Sequence, residues 1–196
     1  MDFNPFKHKI SELTTLEAQK GRVLIAEPFM QDPYFKRSVV LLTEHSKQGA
    51  VGFILNQPLG IQVQEVLPDF LECEAPVYLG GPVNPQNLFF IHNSSTLPGA
   101  IQISESLYWD GDFELLKNWL EVGKILPNEV RFFLGYSGWD YAQLNGELEK
   151  QSWLISQLDE STILDSNTDT LWKHSLQAMG KEQAILSSFP EDPSLN

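Results

Sequence analysis

The chain has 196 residues, with 13 Lys+Arg against 26 Asp+Glu, a formal net charge of −13 at pH 7 and a pI near 4.6. With 42% hydrophobic residues it can bury a core of useful size, and one domain over residues 1–196 is expected. No block of basic residues occurs, which argues against direct nucleic-acid or anionic-membrane partners, because both need clustered cations.

In chain order, Ile10, Leu13 and Leu16 stand at helical spacing and predict a helix over residues 10–20, stopped by Gly21. A β-rich stretch follows. Arg22–Ala26, Ser38–Thr43, Val51–Leu55, Val77–Leu79, Leu88–His92 and Ile101–Ser104 read as strands from their branched and aromatic content. Between them lie Pro28, Asp32-Pro33, Gly49, Pro58-Leu59-Gly60, Gly80-Gly81-Pro82 and Pro98-Gly99, connections short enough for antiparallel neighbours. Asp112 is placed to cap a helix carrying Phe113, Leu116 and Leu120, closed by Gly123. Val130–Leu134, apolar apart from Arg131, predicts a strand in the sheet interior. A helix over residues 140–150, a strand over Trp153–Leu158 and a helix over residues 169–180 complete the pattern, and residues 187–196 read as a loose tail. The fold class expected is α+β, mostly antiparallel β-structure flanked by helices.

The longest apolar runs, such as Val39–Leu42 and Val51–Leu55, fall far short of the about 20 residues that cross a bilayer. The first residues hold no uninterrupted apolar segment of the secretory kind. Cys73 is the sole cysteine, so no internal disulfide can form, which fits a reducing cytoplasm; Glu72 and Glu74 disfavour its thiolate. Most of the acid excess falls after residue 98, as expected of solvated helix faces.

Gly135-Tyr136-Ser137-Gly138-Trp139-Asp140 lies between a strand and a helix and reads as a turn. It resembles a serine-hydrolase elbow with the second glycine one position early, and Ser137, Asp159 or Asp165, and His174 could be written as a triad. The structural alternative is a helix start, with Asp140 as cap, Gln143 completing a capping box, and Trp139 and Leu144 forming a hydrophobic staple. Gly80-Gly81-Pro82 lacks the lysine and hydroxyl of a phosphate loop and the spacing of a dinucleotide site. It therefore reads as a tight turn or a close backbone approach, and no cofactor is expected. His8, His45, His92 and His174 show no ligand spacing, so no metal is expected either. Arg37, isolated among carboxylates, either pairs with one of them or receives an anionic ligand.

Taken together, Gly21–Ala26, Asp32-Pro33-Tyr34-Phe35, Arg37-Ser38-Val39, Glu44-His45, Gly49–Gly52, Asn56-Gln57-Pro58, Gly80–Val83, Gly135–Trp139, Gln143-Leu144, Glu147-Leu148 and Trp153-Leu154 form one ordered pattern. It resembles the bacterial YqgE/AlgH family over about residues 21–155. The resemblance implies a partly closed, barrel-like β-structure flanked by helices. It carries a transcriptional-regulator label and no agreed catalytic set. It also marks Arg37, His45, Asn56, Gly80, Gly81, Tyr136, Ser137, Trp139 and Gln143 as the candidate ligand-binding positions. The expected function is a non-catalytic module for an unidentified small molecule or protein partner, with any regulation indirect. The alternatives are an enzyme acting through Ser137 or His45, and direct DNA binding, which the charge disfavours. Exposed sheet edges make a homodimer compatible with the pattern.

Overall fold

A computed structural model describes residues 16–68, 70, 74–165 and 168–190. The strands are β1 (Val23–Ala26), β2 (Val39–Ser46), β3 (Gly49–Ile54), β4 (Pro58–Gln62), β5 (Pro76–Leu79), β6 (Val83–His92), β7 (Ile101–Gln102), β8 (Tyr108–Trp109), β9 (Val130–Trp139) and β10 (Trp153–Ser156). The helices are α1 (Val63–Val66), α2 (Phe113–Glu121), α3 (Tyr141–Glu149), α4 (Glu160–Leu164), α5 (Leu171–Met179) and α6 (Lys181–Leu186), with a 3-10 turn over Pro127–Glu129.

All ten strands join one hydrogen-bonded network, ordered β10-β1-β2-β3-β9-β6-β8-β7, with β5 also on β9 and β4 on β5. Every pairing is antiparallel except β5 with β9. The α+β fold class is as expected, although the sheet does not close, so "barrel-like" describes its curl only loosely. β9 organises it. Its first half, with Phe132, Phe133 and Leu134, lies between β5 and β6, and its last residues, Ser137–Trp139, pair with β3. Gly135, at φ +69°, is the bend between the two halves; a Cβ there would stand 2.5 Å from the Gly81 carbonyl oxygen.

Three apolar clusters fill the layers. Val23, Ile25, Phe53 and Phe133 pack under Trp172 and Leu176 of α5. Phe90 and Phe132 pack under Leu116 and Trp119 of α2. Leu24, Val40 and Ile54 pack with Trp139, Trp153 and Leu144 of α3. α2, α3 and α5 each lay an apolar stripe on the sheet and leave their polar side to water.

Four expectations are corrected. Leu16–Lys20 is not helical, while the rest of that expected helix and Cys73 lie outside the described residues. Gly135–Gly138 is not a turn, because β9 runs unbroken to Trp139 and the chain enters α3 directly through Asp140. The strand expected over Ile101–Ser104 pairs only at Ile101 and Gln102. At the C-terminus, α6 follows α5 across Gly180, Ser187 is buried, and Phe189 stacks on Phe29 at 5.4 Å. The chain is thus docked as far as Phe189, and residues 191–196 lie outside the described set.

Candidate functional site

The motif positions fall into separate groups, bonded mainly to the protein itself. Gly80 and Gly81 cross the back of β9 at van der Waals limit. A Cβ on Gly80 would overlap the Gly135 carbonyl, and one on Gly81 (φ +151°) would overlap Ser137 Oγ and the Tyr136 carbonyl. Ser137 is fully buried, and its hydroxyl donates to the Gly80 carbonyl at 3.0 Å. Tyr136 packs edge-on against Phe89 at 5.6 Å. The close approach expected for the two glycines is what the chain makes, and it brings Gly80, Gly81, Tyr136 and Ser137 together.

Arg37 and Asn56 form a second group. Arg37 adopts φ +52°, a left-handed conformation uncommon for a side-chain-bearing residue. Asn56 holds that bend from both sides, donating to the Arg37 carbonyl at 2.8 Å and accepting from the Val39 amide at 2.8 Å. The Arg37 guanidinium donates to the Phe189 carbonyl at 2.5 Å and lies 4.6 Å from the Trp172 ring centre, tying the C-terminal helices down.

Trp139 and Gln143 form a third group, centred on a residue not singled out from sequence. Glu147 accepts the indole N–H of Trp139 (3.0 Å) and of Trp153 (2.7 Å) on one oxygen and the Gln143 amide (3.1 Å) on the other. The two indoles and Phe35 pack at 5.5–6.1 Å. Asp140 caps α3 through the Gln143 amide at 2.7 Å, as expected, but the Gln143 side chain turns to Glu147 rather than closing a capping box. His45 sits half-exposed near the end of the β2–β3 hairpin, in register with Ala50 and, one strand further, Trp139.

The residues of the written triad each have other partners. Ser137 donates to Gly80, Asp159 caps α4 through Thr162, and exposed His174 pairs with Thr170. Among the described residues, no group of three or more His, Cys, Asp or Glu could hold a metal ion. No helix among them is long and apolar enough to cross a membrane.

A cleft of about 810 Å³ lies elsewhere, between β5, the start of β9 and α4. Its floor holds Tyr78 and Arg131, 1% and 2% exposed. The Arg131 guanidinium donates to the carbonyls of Ile163 and Leu55, and its carbon lies 4.0 Å from the Tyr78 ring centre. Its Nε has no hydrogen-bond partner among the described residues. Burial pushes the Arg131 pKa down to about 10, partly offset by Tyr78 and Asp165, so it stays charged at neutral pH. Burial likewise pushes the Tyr78 phenol up, which keeps it protonated. The rim carries Glu74, Glu129, Glu160 and Asp165. Glu160 is already engaged by Ser104 and Ser106, and Glu129 by Asn93 and the Leu126 amide. The signal for this site was Arg131, the single charge in VRFFL; the cleft itself depends on α4, which sequence periodicity does not reveal.

Fold and cleft define the class: a mixed α/β chain on one open, mostly antiparallel sheet, with a buried cation under an acidic-rimmed cleft. The AlgH-like family model matches residues 23–184. A UPF0301 protein of Parabacteroides distasonis is 44% identical over 191 residues, covering 96% of each chain. One of Bacteroides thetaiotaomicron is 40% identical over 178 residues, covering 90% of this chain and 91% of its own. The crystal structure of protein DIP2367 from Corynebacterium diphtheriae superposes with a TM-score of 0.78 at 23% identity, over 94% of this chain and all of that one. The solution structure of the AlgH protein from Pseudomonas aeruginosa gives 0.68 at 27% identity, over 90% of this chain and 98% of that one. This chain belongs to the AlgH-like family.

Proposed function

We propose that the chain is a non-catalytic binding module for a small polar ligand, and that its site is the cleft over Arg131 rather than the motif positions. The observation that carries this reading is the buried guanidinium on the cleft floor. Desolvating a cation costs several kcal/mol unless it is well compensated, on the order of the effective penalties known for buried ions. Here two neutral backbone carbonyls accept from it, Tyr78 and Asp165 offset its burial only in part, and its Nε has no partner among the described residues. A cleft of about 810 Å³ lies within the usual size range of small-molecule sites.

The motif residues support the same division. Ser137, Asn56 and Trp139 spend their polar atoms on the fold, and Arg37 gives a guanidinium nitrogen to the Phe189 carbonyl. Any regulatory role would pass through the bound state, because a chain of net charge −13 with no block of basic residues is poorly suited to grip DNA directly. The reading places the protein in the cytoplasm, where its one cysteine needs no disulfide partner.

A thermal-shift screen against a metabolite library tests the proposal, using wild type and Asn128→Trp, which puts a bulky ring on the exposed cleft rim. A ligand at one hundred times its Kd stabilises by about 2.7 kcal/mol. The reading expects at least one stabilising compound whose effect disappears in Asn128→Trp, with the unliganded melting temperature unchanged. Hits that survive the substitution, or no hits at all, overturn it.

A further inference from the structure

Among the described residues, Arg37, Asn84, Asp110 and Gln151 carry side chains at positive φ. Only Asp110, at φ +61°, is followed by a glycine, Gly111 at φ +130°. Asp110-Gly111 is the sole Asp-Gly step in the sequence, and Asn145-Gly146 the sole Asn-Gly step. These are the two places where a carboxyl or amide side chain is followed by an amide with no Cβ to hinder attack on it. Neither Asp110 nor Gly111 lines the cleft.

The fold treats the two steps oppositely. Gly146 lies inside α3, where the helical ladder takes its amide and fixes the backbone on both sides. Gly111 lies outside every strand and helix, and its amide donates to Oδ1 of Asp110 at 2.9 Å. The Asp110 carboxylate is therefore folded back onto the peptide bond that follows it, the arrangement that ring closure requires, and holding reacting groups together is what speeds such steps. Asp110 is exposed, so water reaches the product. Its left-handed backbone stores strain that a longer, more flexible linkage would release.

The geometry points to Asp110-Gly111 as a site of spontaneous succinimide formation and conversion to isoaspartate. The Gly111 nitrogen bonds to the Asp110 carboxyl carbon, and one carboxylate oxygen leaves as water, with the amide proton and one proton from solvent. Water then opens the ring. Opening at the side-chain carbonyl regenerates aspartate; opening at the main-chain carbonyl leaves isoaspartate, with no oxidant or cofactor consumed.

The product alters two neighbours. The Asp110 carbonyl that accepts from His92 becomes a free carboxylate. The main chain gains a methylene just before Asp112, whose amide donates to the Pro98 carbonyl at 2.8 Å and whose side chain caps α2.

Peptide mapping by mass spectrometry tests the site, on the full chain aged at neutral pH in water enriched in the heavy oxygen isotope, folded and in urea. In the folded chain, isoaspartate carrying one heavy oxygen is expected at position 110, tenfold or more above position 145. In urea position 145 should lead, because free Asn-Gly closes its ring faster than Asp-Gly. Asp110→Glu, which would need a larger ring, should abolish the product, and Asp110→Asn should form it faster by losing ammonia. A folded chain left unmodified at 110, or modified there more slowly than in urea, overturns the assignment.

Discussion

Arg131 and Tyr78 stack at the bottom of the cleft, the guanidinium carbon 4.0 Å from the ring centre, on the adjacent parallel strands β9 and β5. The same guanidinium reaches the Ile163 carbonyl on α4 and the Leu55 carbonyl just after β3. One side chain thus joins three parts of the fold and forms the cleft floor while doing so.

Arg131→Met keeps much of the volume and removes these bonds, leaving two carbonyls without their charged donor. A loss of about 3 kcal/mol is expected, offset in part by relief of the buried charge. Urea unfolding measures the loss, and hydrogen exchange should locate it, with the amides of α4 opening faster than those of α2.

The crossing of Gly80 and Gly81 over β9 separates steric from polar contributions. Ser137→Ala removes one hydrogen bond, but the Gly80 carbonyl keeps its bond from the Ile54 amide at 3.0 Å, so the expected cost is about 1 kcal/mol. Gly81→Ala forces a methyl group into the Tyr136 backbone at a left-handed φ and should cost about 3 kcal/mol or more. The urea midpoints of the two variants should differ in that order; equal losses would contradict the packing account.

The C-terminal helices depend on Arg37 and Trp172. Trp172 Nε1 donates to the Ala26 carbonyl at 2.8 Å while Arg37 covers its ring. Arg37→Ala removes a cation–π contact and a hydrogen bond together worth about 2 kcal/mol. Hydrogen exchange should rise over residues 171–189 and stay unchanged in β9.

His92 gives the stability a pH dependence. It is fully buried; Nδ1 accepts from the Ser94 amide at 3.1 Å, which leaves the proton on Nε2 to donate to the Asp110 carbonyl at 3.0 Å. Burial lowers its pKa below the ordinary 6.5. The unfolded chain therefore binds a proton near 6.5 that the folded chain refuses. Stability from this site is complete above 6.5 and declines as the pH falls from there toward the folded pKa. Wild type should lose more stability than His92→Gln between pH 7.5 and pH 5.5, read from urea midpoints.

The sequence made the apolar strands legible, because β1 and β2 carry runs of branched aliphatic residues and β3 and β5 mix branched with aromatic ones. It also showed the caps of α2 and α3, whose Asp112 and Asp140 bond the amides three residues on. It concealed the second half of β9. Gly135 and Gly138 read as punctuation, yet at Gly135 the glycine is required by a neighbouring backbone at contact distance. β4, PLGIQ, was hidden for a related reason, since proline and glycine are tolerated on an edge strand. α4 and α6 are too short to show a helical period. The motif positions were visible, but what each touches, and that Glu147 lies at the centre of one group, depends on pairings across the sheet that spacing does not encode.

The central claim is that the Arg131 cleft, and not the Gly81–Ser137 crossing, receives the ligand. Chemical-shift mapping on isotope-labelled protein, titrated with a compound that stabilises it in the metabolite screen, tests it most directly. The account predicts that the perturbed amides cluster at Tyr78, residues 128–131 and residues 160–165, and that they do not move in Asn128→Trp. Perturbations centred instead on Gly80, Gly81, Tyr136 and Ser137 would contradict it.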